Sequence, residues 1–196
     1  MPTALADDVL RRLFLDARSI QAFTSEPVPD NVVERLYALA SLAPTGFNSQ
    51  PARYVFVRSQ PAKDLLAPAL SSSNRAKMLG APLTAIIAYD RRFFDRVHEL
   101  FPSYDARSLF EKAPQLAVET AERNAALQAA FFLLAARSLG LDAGPMSGFK
   151  ADEIDSRFFP DGRCHTLLVV NLGYGDRGKL GPRLPRLSFA DAARIA

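Results

Sequence analysis

The stretch from residue 115 to 140 constrains the fold more than any other part of the sequence. It has no proline and no internal glycine, and it is rich in Ala, Leu, Glu and Gln, which lose little freedom in a helix. Gly140 is placed to end this helix in a left-handed conformation. As a single helix the stretch is about 37 Å long, at about 1.5 Å per residue. Between Ala125 and Ala136 the one polar residue is Gln128.

A helix that is apolar on every side is normally buried on every side. A chain of 196 residues surrounds such a long helix most readily by pairing with a second chain. The apolar run lies between Arg123 and Arg137 and is shorter than the ~20 residues that a membrane span requires. The sequence therefore predicts a homodimer rather than a membrane protein, with Gln128 as a candidate contact between the chains.

Length and charge limit the remaining classes of protein. We expect one domain over residues 1–196. The net charge is +3, and acidic residues are scattered among the basic ones, which argues against nucleic-acid binding. The N-terminal residues lack a basic segment followed by an apolar one, and the single Cys164 fits a reducing compartment. We therefore expect a cytoplasmic protein.

Hydrophobic periodicity and breaker residues predict an α+β domain with a small mixed central sheet surrounded by helices. The predicted strands are 53–58, 82–89 and 164–174, and residues 141–149 are predicted to be a short extended link. Besides the long helix, helices are predicted over 4–16, from Asp30 to about Ala43, over 60–70 and 74–79, around 93–97 and over 151–159. The last residues, FADAARIA, are predicted to form a short helix or an arm.

Several familiar site patterns are excluded by their context. GYGDRG at 173–178 matches a dinucleotide fingerprint, but KLGPRLP follows it in place of a helix, so we interpret it as a turn. His98 and His165 are far apart in sequence and carry no metal-ligand spacing, so no metal site is expected. Ser147 has no histidine nearby in sequence, and the apolar neighbours of Cys164 indicate a buried thiol rather than a nucleophile.

Polar residues nevertheless interrupt the predicted core elements at four places. Each of them alone is typical of a surface or capping residue. Together they offer two or three cations for a phosphate and several amides for a planar heterocycle. The four groups are Arg18, Ser19 and Gln21; Thr45, Asn48 and Gln50 in a loop bounded by prolines; Asn74 and Lys77, which share a helix face; and Arg183 and Arg186 in the basic tail.

The segments ARSIQAF, APTGFNSQP, NRAKML and NAALQAAFFLLAARSLGLDAGPMSGF resemble motifs of the nitroreductase family of FMN-dependent oxidoreductases. The resemblance covers nearly the whole chain. It implies a nitroreductase-like fold, a homodimer with two FMN sites at the interface, a C-terminal arm exchanged with the partner, and NAD(P)H as electron donor. It implies no metal, no nucleic acid and no membrane among the partners.

The resemblance also implies which residues bind the flavin. Arg18 and Ser19 would face the phosphate and ribityl chain, Asn74 and Lys77 would lie near the pyrimidine edge of the ring, and Ser147 or Gly148 would place a backbone N–H near N5, which carries the hydride. Arg183, with Arg186, would complete the phosphate site. The full predicted set of cofactor-binding residues is Arg18, Ser19, Gln21, Pro44, Thr45, Gly46, Asn48, Asn74, Lys77, Pro145, Met146, Ser147, Gly148, Arg183 and Arg186.

Within the family, the sequence resembles a subgroup of short proteins that contains malonic semialdehyde reductase. The segments PARYVFVR, LFPSYDARSLF and KLGPRLPRLSF carry this likeness. It implies ping-pong hydride transfer to a small acceptor such as malonic semialdehyde, giving 3-hydroxypropanoate, with Arg107 as a candidate substrate cation. Two alternatives stay open: a broad NAD(P)H nitroreductase or quinone reductase, and a non-catalytic protein that binds or stores FMN.

Overall fold

The computed structural model describes residues 3–196, and a four-stranded sheet forms its centre. The order in the sheet is β1–β2–β4–β3, and each neighbouring pair is antiparallel. All eight residues of the second strand are buried, because helices cover both faces of the sheet. The strands are β1 Ala52–Val57, β2 Leu83–Asp90, β3 Asp142–Met146 and β4 Cys164–Gly173.

The predicted α+β class is confirmed, but the predicted mixed sheet is corrected. The segment expected to be an extended link contains β3, which pairs antiparallel with β4 at the sheet edge. Among residues 3–196, parallel pairing is limited to an isolated bridge between Ser19 and Ala143.

The helices follow the predicted order with changes at their ends. The first helix begins later than expected and widens into a π-helical turn over Arg11–Leu15, and the second ends at Ala40, before the predicted stop. Short 3₁₀ turns occupy Gly46–Asn48, Ala67–Ala69, Phe93–Arg96 and Arg177–Lys179. The α-helices are α1 Asp7–Leu10, α2 Asp30–Ala40, α3 Gln60–Leu66, α4 Ser72–Gly80, α5 Val97–Leu100, α6 Ala106–Lys112, α7 Pro114–Ser138, α8 Ala151–Phe158 and α9 Phe189–Ala192.

The long helix α7 begins at a proline, which the first helical turn tolerates, and packs on the sheet through small residues. Ala125, Ala129 and Ala136 are buried on its inner face and let the helix approach the strands. Its outer face carries Leu127 and Phe131, which are 45% and 37% exposed. One chain therefore buries only one side of this helix.

Gln128 does not lie on that outer face. It is 3% exposed, and its Oε1 accepts a hydrogen bond from the backbone N of Ala52 at 2.9 Å. The prediction that Gln128 contacts a second chain is corrected: the side chain satisfies a backbone donor at the start of β1 within its own chain.

Among residues 3–196, no helix combines the length and the apolar composition needed to cross a bilayer.

Candidate functional site

Residues 18–24 run across the adjoining ends of β3 and β4, and this placement organises the site. The backbone N of Ile20 donates to the carbonyl of Ala143 at 3.0 Å, beside the parallel bridge at Ser19. The crossing is so close that a Cβ on Gly144 would overlap the carbonyl oxygen of Ile20. Glycine is therefore required at position 144, and the crossing brings the predicted phosphate-binding segment onto the strand that leads to Gly148.

The turn after β3 is fastened to the first turn of α4. The carbonyl of Gly148 accepts two hydrogen bonds, from the backbone N of Ser71 at 3.0 Å and from Asn74 Nδ2 at 3.2 Å. A Cβ on Gly148 would lie 2.8 Å from that same amide nitrogen. Asn74 and Lys77, one helical turn apart, are in this way held beside the turn, as their spacing predicts.

These elements enclose a cavity of about 250 Å³. We call it the ring-end cavity, after the flavin ring that the family resemblance implies there. Lys77 is half-buried there and has no ion-pair partner within the described residues 3–196. The cavity is therefore polar and carries an unneutralised cation. Its lining residues are Ser19, Ile20, Gln21, Asn74, Lys77, Gly144, Pro145, Met146, Ser147, Gly148 and Asn171.

Asn171 is a residue of this cavity that the sequence did not reveal. It is 1% exposed; its Oδ1 accepts from Thr84 Oγ1 at 2.8 Å, and its Nδ2 lies 3.7 Å from the Met146 sulfur. It stands within the apolar run of β4, where one amide resembles an ordinary strand residue. Only the pairing of β4 with its neighbours places it at the cavity.

A second cavity of about 580 Å³ adjoins the first. We call it the phosphate-end cavity, after the flavin phosphate that the family resemblance implies there. Ser19 and Gln21 line both cavities and so join them. Asp176 is its one acidic lining residue, and it pairs with Lys179 at 3.2 Å. Five cationic side chains line this cavity: Arg18, Arg137, Lys179, Arg183 and Arg186.

Two arginines fasten the C-terminal tail to the segment that follows the first helix. Arg18 Nη2 donates to the carbonyls of Gly181 and Pro182, at 2.8 and 3.0 Å. In return, Arg183 Nη2 donates to the carbonyls of Leu15 and Ala17. These reciprocal bonds orient both guanidinium groups at the cavity.

Within the described residues 3–196, the side chain of Arg186 forms hydrogen bonds only with neighbours in its own segment. Its Nη1 donates to the carbonyls of Leu184 and Pro185, both at 3.0 Å. Both predicted tail arginines therefore line the phosphate-end cavity, but only Arg183 joins the tail to the rest of the site.

The loop of residues 44–51 lies elsewhere on the chain. Its predicted cofactor residues, Pro44, Thr45, Gly46 and Asn48, line neither of the two cavities. The backbone N of Gly46 is instead held by Asn124 Oδ1 at 2.8 Å, on α7. A single chain therefore does not bring these residues together with the rest of the predicted site.

The same loop has an unusual backbone. Phe47, Asn48 and Gln50 have φ values of 56°, 47° and 42°, a region that non-glycine residues rarely occupy. The Phe47 ring packs among Phe101, Tyr104 and Phe110 at centroid distances of 5.7–5.8 Å, which holds the strained loop in place. Left-handed non-glycine residues held by their surroundings are typical of binding segments.

Arg107, the predicted substrate cation, is also separate from the two cavities. Its Nε donates to Glu111 Oε1 at 2.7 Å, one turn further along α6, and it lines neither cavity. The structure thus gives this guanidinium a carboxylate partner of its own.

The structure brings together one polar cluster that sequence spacing concealed. Ligand atoms of Asp152, Asp155 and His165 lie within 4.8 Å of one another. Asp155 accepts hydrogen bonds from the backbone N and Oγ1 of Thr166, at 2.8 and 2.6 Å, and its other oxygen lies 2.7 Å from His165 Nδ1. These contacts engage both oxygens of the Asp155 carboxylate, so that the side chain links α8 to β4.

Cys164 and the GYGDRG segment, which the sequence excluded as functional sites, belong to the structural framework. Burial raises the pKa of the Cys164 thiol to about 11, so it is a poor nucleophile near neutral pH. The GYGDRG segment forms the end of β4 and a turn, in which Gly175 N donates to Asp142 Oδ2 at 3.0 Å.

Comparisons with known proteins show the family. The model of the nitroreductase family matches residues 15–174. The chain belongs to the nitroreductase family. A relative from Rhodopseudomonas palustris (strain TIE-1), which bears the name NADH dehydrogenase/NAD(P)H nitroreductase, is 50% identical over 195 residues and is covered completely, as is this chain.

Solved structures of nitroreductases share the fold. One from Bacillus subtilis is 23% identical, with a TM-score of 0.88 and coverage of 97% of this chain and 100% of that chain. One from Exiguobacterium sibiricum 255-15, in complex with FMN, is 18% identical, with a TM-score of 0.82 and complete coverage of both chains. The predicted nitroreductase-like fold is confirmed.

Proposed function

We propose that this nitroreductase-family chain is an FMN-dependent NAD(P)H oxidoreductase. The observation that carries the proposal is the pair of joined cavities, with five cations at one end and an amide-rich pocket with a free lysine at the other. FMN has the matching form, because its phosphate is separated from a planar, hydrogen-bonding ring by a polar ribityl chain.

The residues present fit each part of this cofactor. Arg18 and Arg183 would hold the phosphate, and Ser19 and Gln21, which line both cavities, would contact the ribityl chain. The ring would lie against residues 144–148. The choice of FMN and NAD(P)H is supported by the 50% identical relative, which bears the name of an NAD(P)H nitroreductase, and by the structural neighbour solved with FMN.

Bound FMN supplies the hydride chemistry, and the protein supplies orientation and electrostatics. The Lys77 ammonium, which has no carboxylate partner within residues 3–196, would lower the energy of negative charge on the reduced ring. A backbone N–H of Ser147 or Gly148 would donate to the ring atom N5. Donor and acceptor would alternate over one exposed ring face, which gives ping-pong kinetics.

We further propose that the active form is a homodimer. The apolar outer face of α7, with Leu127 and Phe131, needs a cover, and the strained loop at 44–48 would complete the flavin site of the partner. The C-terminal arm would be exchanged with the partner, which would bury the apolar side chains that one chain leaves in solvent. These include Leu184 and Leu187, 75% and 76% exposed, and Ile195, 92% exposed.

For the acceptor we propose a small aldehyde, with malonic semialdehyde and its product 3-hydroxypropanoate as the specific case. This step rests on the segments that resemble the malonic semialdehyde reductase subgroup. Arg107 stays the predicted cation for the substrate carboxylate, and its exposed ion pair with Glu111 is of a kind that contributes little free energy. The alternative is broad reduction of nitroaromatics or quinones, and a further alternative is FMN storage without turnover.

One set of assays separates these functions. Protein reconstituted with FMN should oxidise NADH or NADPH in a stopped-flow cell, bleach its flavin, and recover colour when acceptor is added. Values of kcat/KM for malonic semialdehyde, a nitroaromatic and a quinone then rank the acceptors. Flavin that binds but is not bleached by either nucleotide would indicate storage, and failure to bind FMN would overturn the proposal.

A further inference from the structure

Arg137, near the C-terminal end of α7, lines the phosphate-end cavity. Its Nη1 donates to the carbonyl of Leu13 at 2.9 Å, and its own backbone carbonyl accepts from Arg12 Nε at 3.0 Å. Arginine has five N–H donors. One hydrogen bond therefore fixes the side chain and leaves further donors for a ligand.

The position of Arg137 is electrostatically unfavourable while no anion is bound. Burial lowers the pKa of Arg137, the neighbouring Arg183 lowers it further, and Asp142 acts in the opposite direction. Asp142 is otherwise engaged, since its oxygens accept from Gly175 N at 3.0 Å and Arg177 Nη2 at 2.8 Å. Within the described part of the chain, Arg137 has no ion-pair partner of its own.

Arg137 borders two cavities. Ala17, whose side chain is small, lines the phosphate-end cavity with it, and the same two residues also line a further cavity of about 300 Å³. A phosphate bound between Arg18 and Arg183 would relieve the repulsion between Arg137 and Arg183 and could accept the free donors of Arg137.

We propose that Arg137 is a third phosphate-binding arginine, which selects a flavin carrying a dianionic phosphate monoester over one without a phosphate. The inference rests on the proposed FMN function and deepens it. Arg137 comes from α7, more than a hundred positions from Arg18 in sequence, and it adds one cation to those of the N-terminal segment and the tail.

The test compares FMN with riboflavin, which has the same ring and ribityl chain without the phosphate. Both are titrated into FMN-free protein by flavin fluorescence, for wild type, Arg137→Met and Arg137→Lys. For Arg137→Met we expect the FMN Kd to rise about tenfold, the scale of one charge-assisted hydrogen bond. The riboflavin Kd should stay unchanged, and FMN binding should depend less on salt. Arg137→Lys, which keeps the charge, should recover part of the FMN preference.

Arg11→Met is the matched control. Arg11 is an exposed arginine next to Arg12 that pairs with Asp16 at 3.5 Å and does not line the cavity, so its loss changes the net charge without removing a ligand. It should leave the preference for FMN over riboflavin intact.

Equal weakening of the binding of both flavins in Arg137→Met would show a structural role and overturn the inference, as would an unchanged FMN Kd. If Arg137→Met does not fold, an unchanged FMN preference in Arg137→Lys with a weakened riboflavin Kd overturns it instead. Wild-type protein that binds neither flavin would contradict the proposed function itself.

Discussion

At the scale of single residues, Gly148 decides whether the turn after β3 and helix α4 can meet. Its carbonyl accepts from Ser71 N and Asn74 Nδ2, and a methyl group there would lie 2.8 Å from the Asn74 amide nitrogen. We expect Gly148→Ala to displace the Asn74 side chain and lower the free energy of unfolding by about 1 kcal/mol, the net value of one hydrogen bond. Urea unfolding of FMN-free protein measures the loss, and FMN titration should show weaker binding.

Gly80→Ala is the control for this substitution. Gly80 ends α4, and no atom of residues 3–196 that could obstruct a Cβ lies within 4 Å of one built on it, so alanine should leave stability unchanged or raise it. If Gly148→Ala unfolds and binds FMN like wild type, the link between the turn and α4 has no energetic role.

Spacing alone could predict the grouping of residues that lie close together in sequence, whereas the grouping of Arg18 with Arg183 was implied by the family resemblance. Asn74 and Lys77 share a helix face by spacing alone, and both line the ring-end cavity. Arg137 was assigned only to the end of a helix, and Asn171 only to a strand, because each reaches the site through contacts distant in sequence. Neither the spacing of these two residues nor the motifs that carry the resemblance revealed such long-range contacts.

At the scale of elements, α4 depends on a buried lysine in α3. Lys63 is 8% exposed, and its Nζ donates to the carbonyls of Leu79 and Ala81, at 3.1 and 2.6 Å. These carbonyls belong to the C-terminal end of α4, which leaves such groups without helical partners. Burial lowers the pKa of Lys63, and the two bonds stabilise its ammonium against that cost.

We expect Lys63→Met to lower the free energy of unfolding by about 2 kcal/mol, because it leaves buried carbonyls unpaired. The last turn of α4 should fray, and since Lys77 lies in that turn, FMN binding should weaken as well. Thermal unfolding and amide exchange of α4 in FMN-free protein are the measurements. Lys112→Met, at an exposed lysine in the last turn of α6, should change neither. Amide protection in α4 equal to wild type would contradict the role given to Lys63.

Elements with a strong hydrophobic pattern were predicted within a few residues, among them α7, β2 and β4. The edge strand β3 was expected only as a link, because its sequence DAGPM contains glycine and proline, which weaken a strand pattern. Its place in the sheet comes from pairing with β4 on one side, while Pro145 needs no partner on the open edge.

At the scale of the whole molecule, several features are incomplete in one chain. The outer face of α7 is apolar and exposed, loop residues 44–48 lie apart from the two cavities, and the apolar side chains of the tail are in solvent. A second copy of the chain would cover the outer face of α7 and the apolar side chains of the tail, and its cavities would receive the loop. The apolar composition of the long helix already predicted a second chain, because one face of a sheet covers only one side of such a helix.

The last prediction tests that assembly through Phe131, which is 37% exposed on the outer face of α7. An arginine there would have to be buried without a partner in a dimer, so Phe131→Arg should shift the protein to monomer in sedimentation velocity. Because the proposed flavin site needs residues 44–48 of a second chain, the monomer should also bind FMN more weakly. Leu65→Arg, at an exposed leucine of α3 that is 44% exposed, should leave both properties unchanged. A Phe131→Arg monomer that holds FMN as tightly as wild type would show that one chain completes the site.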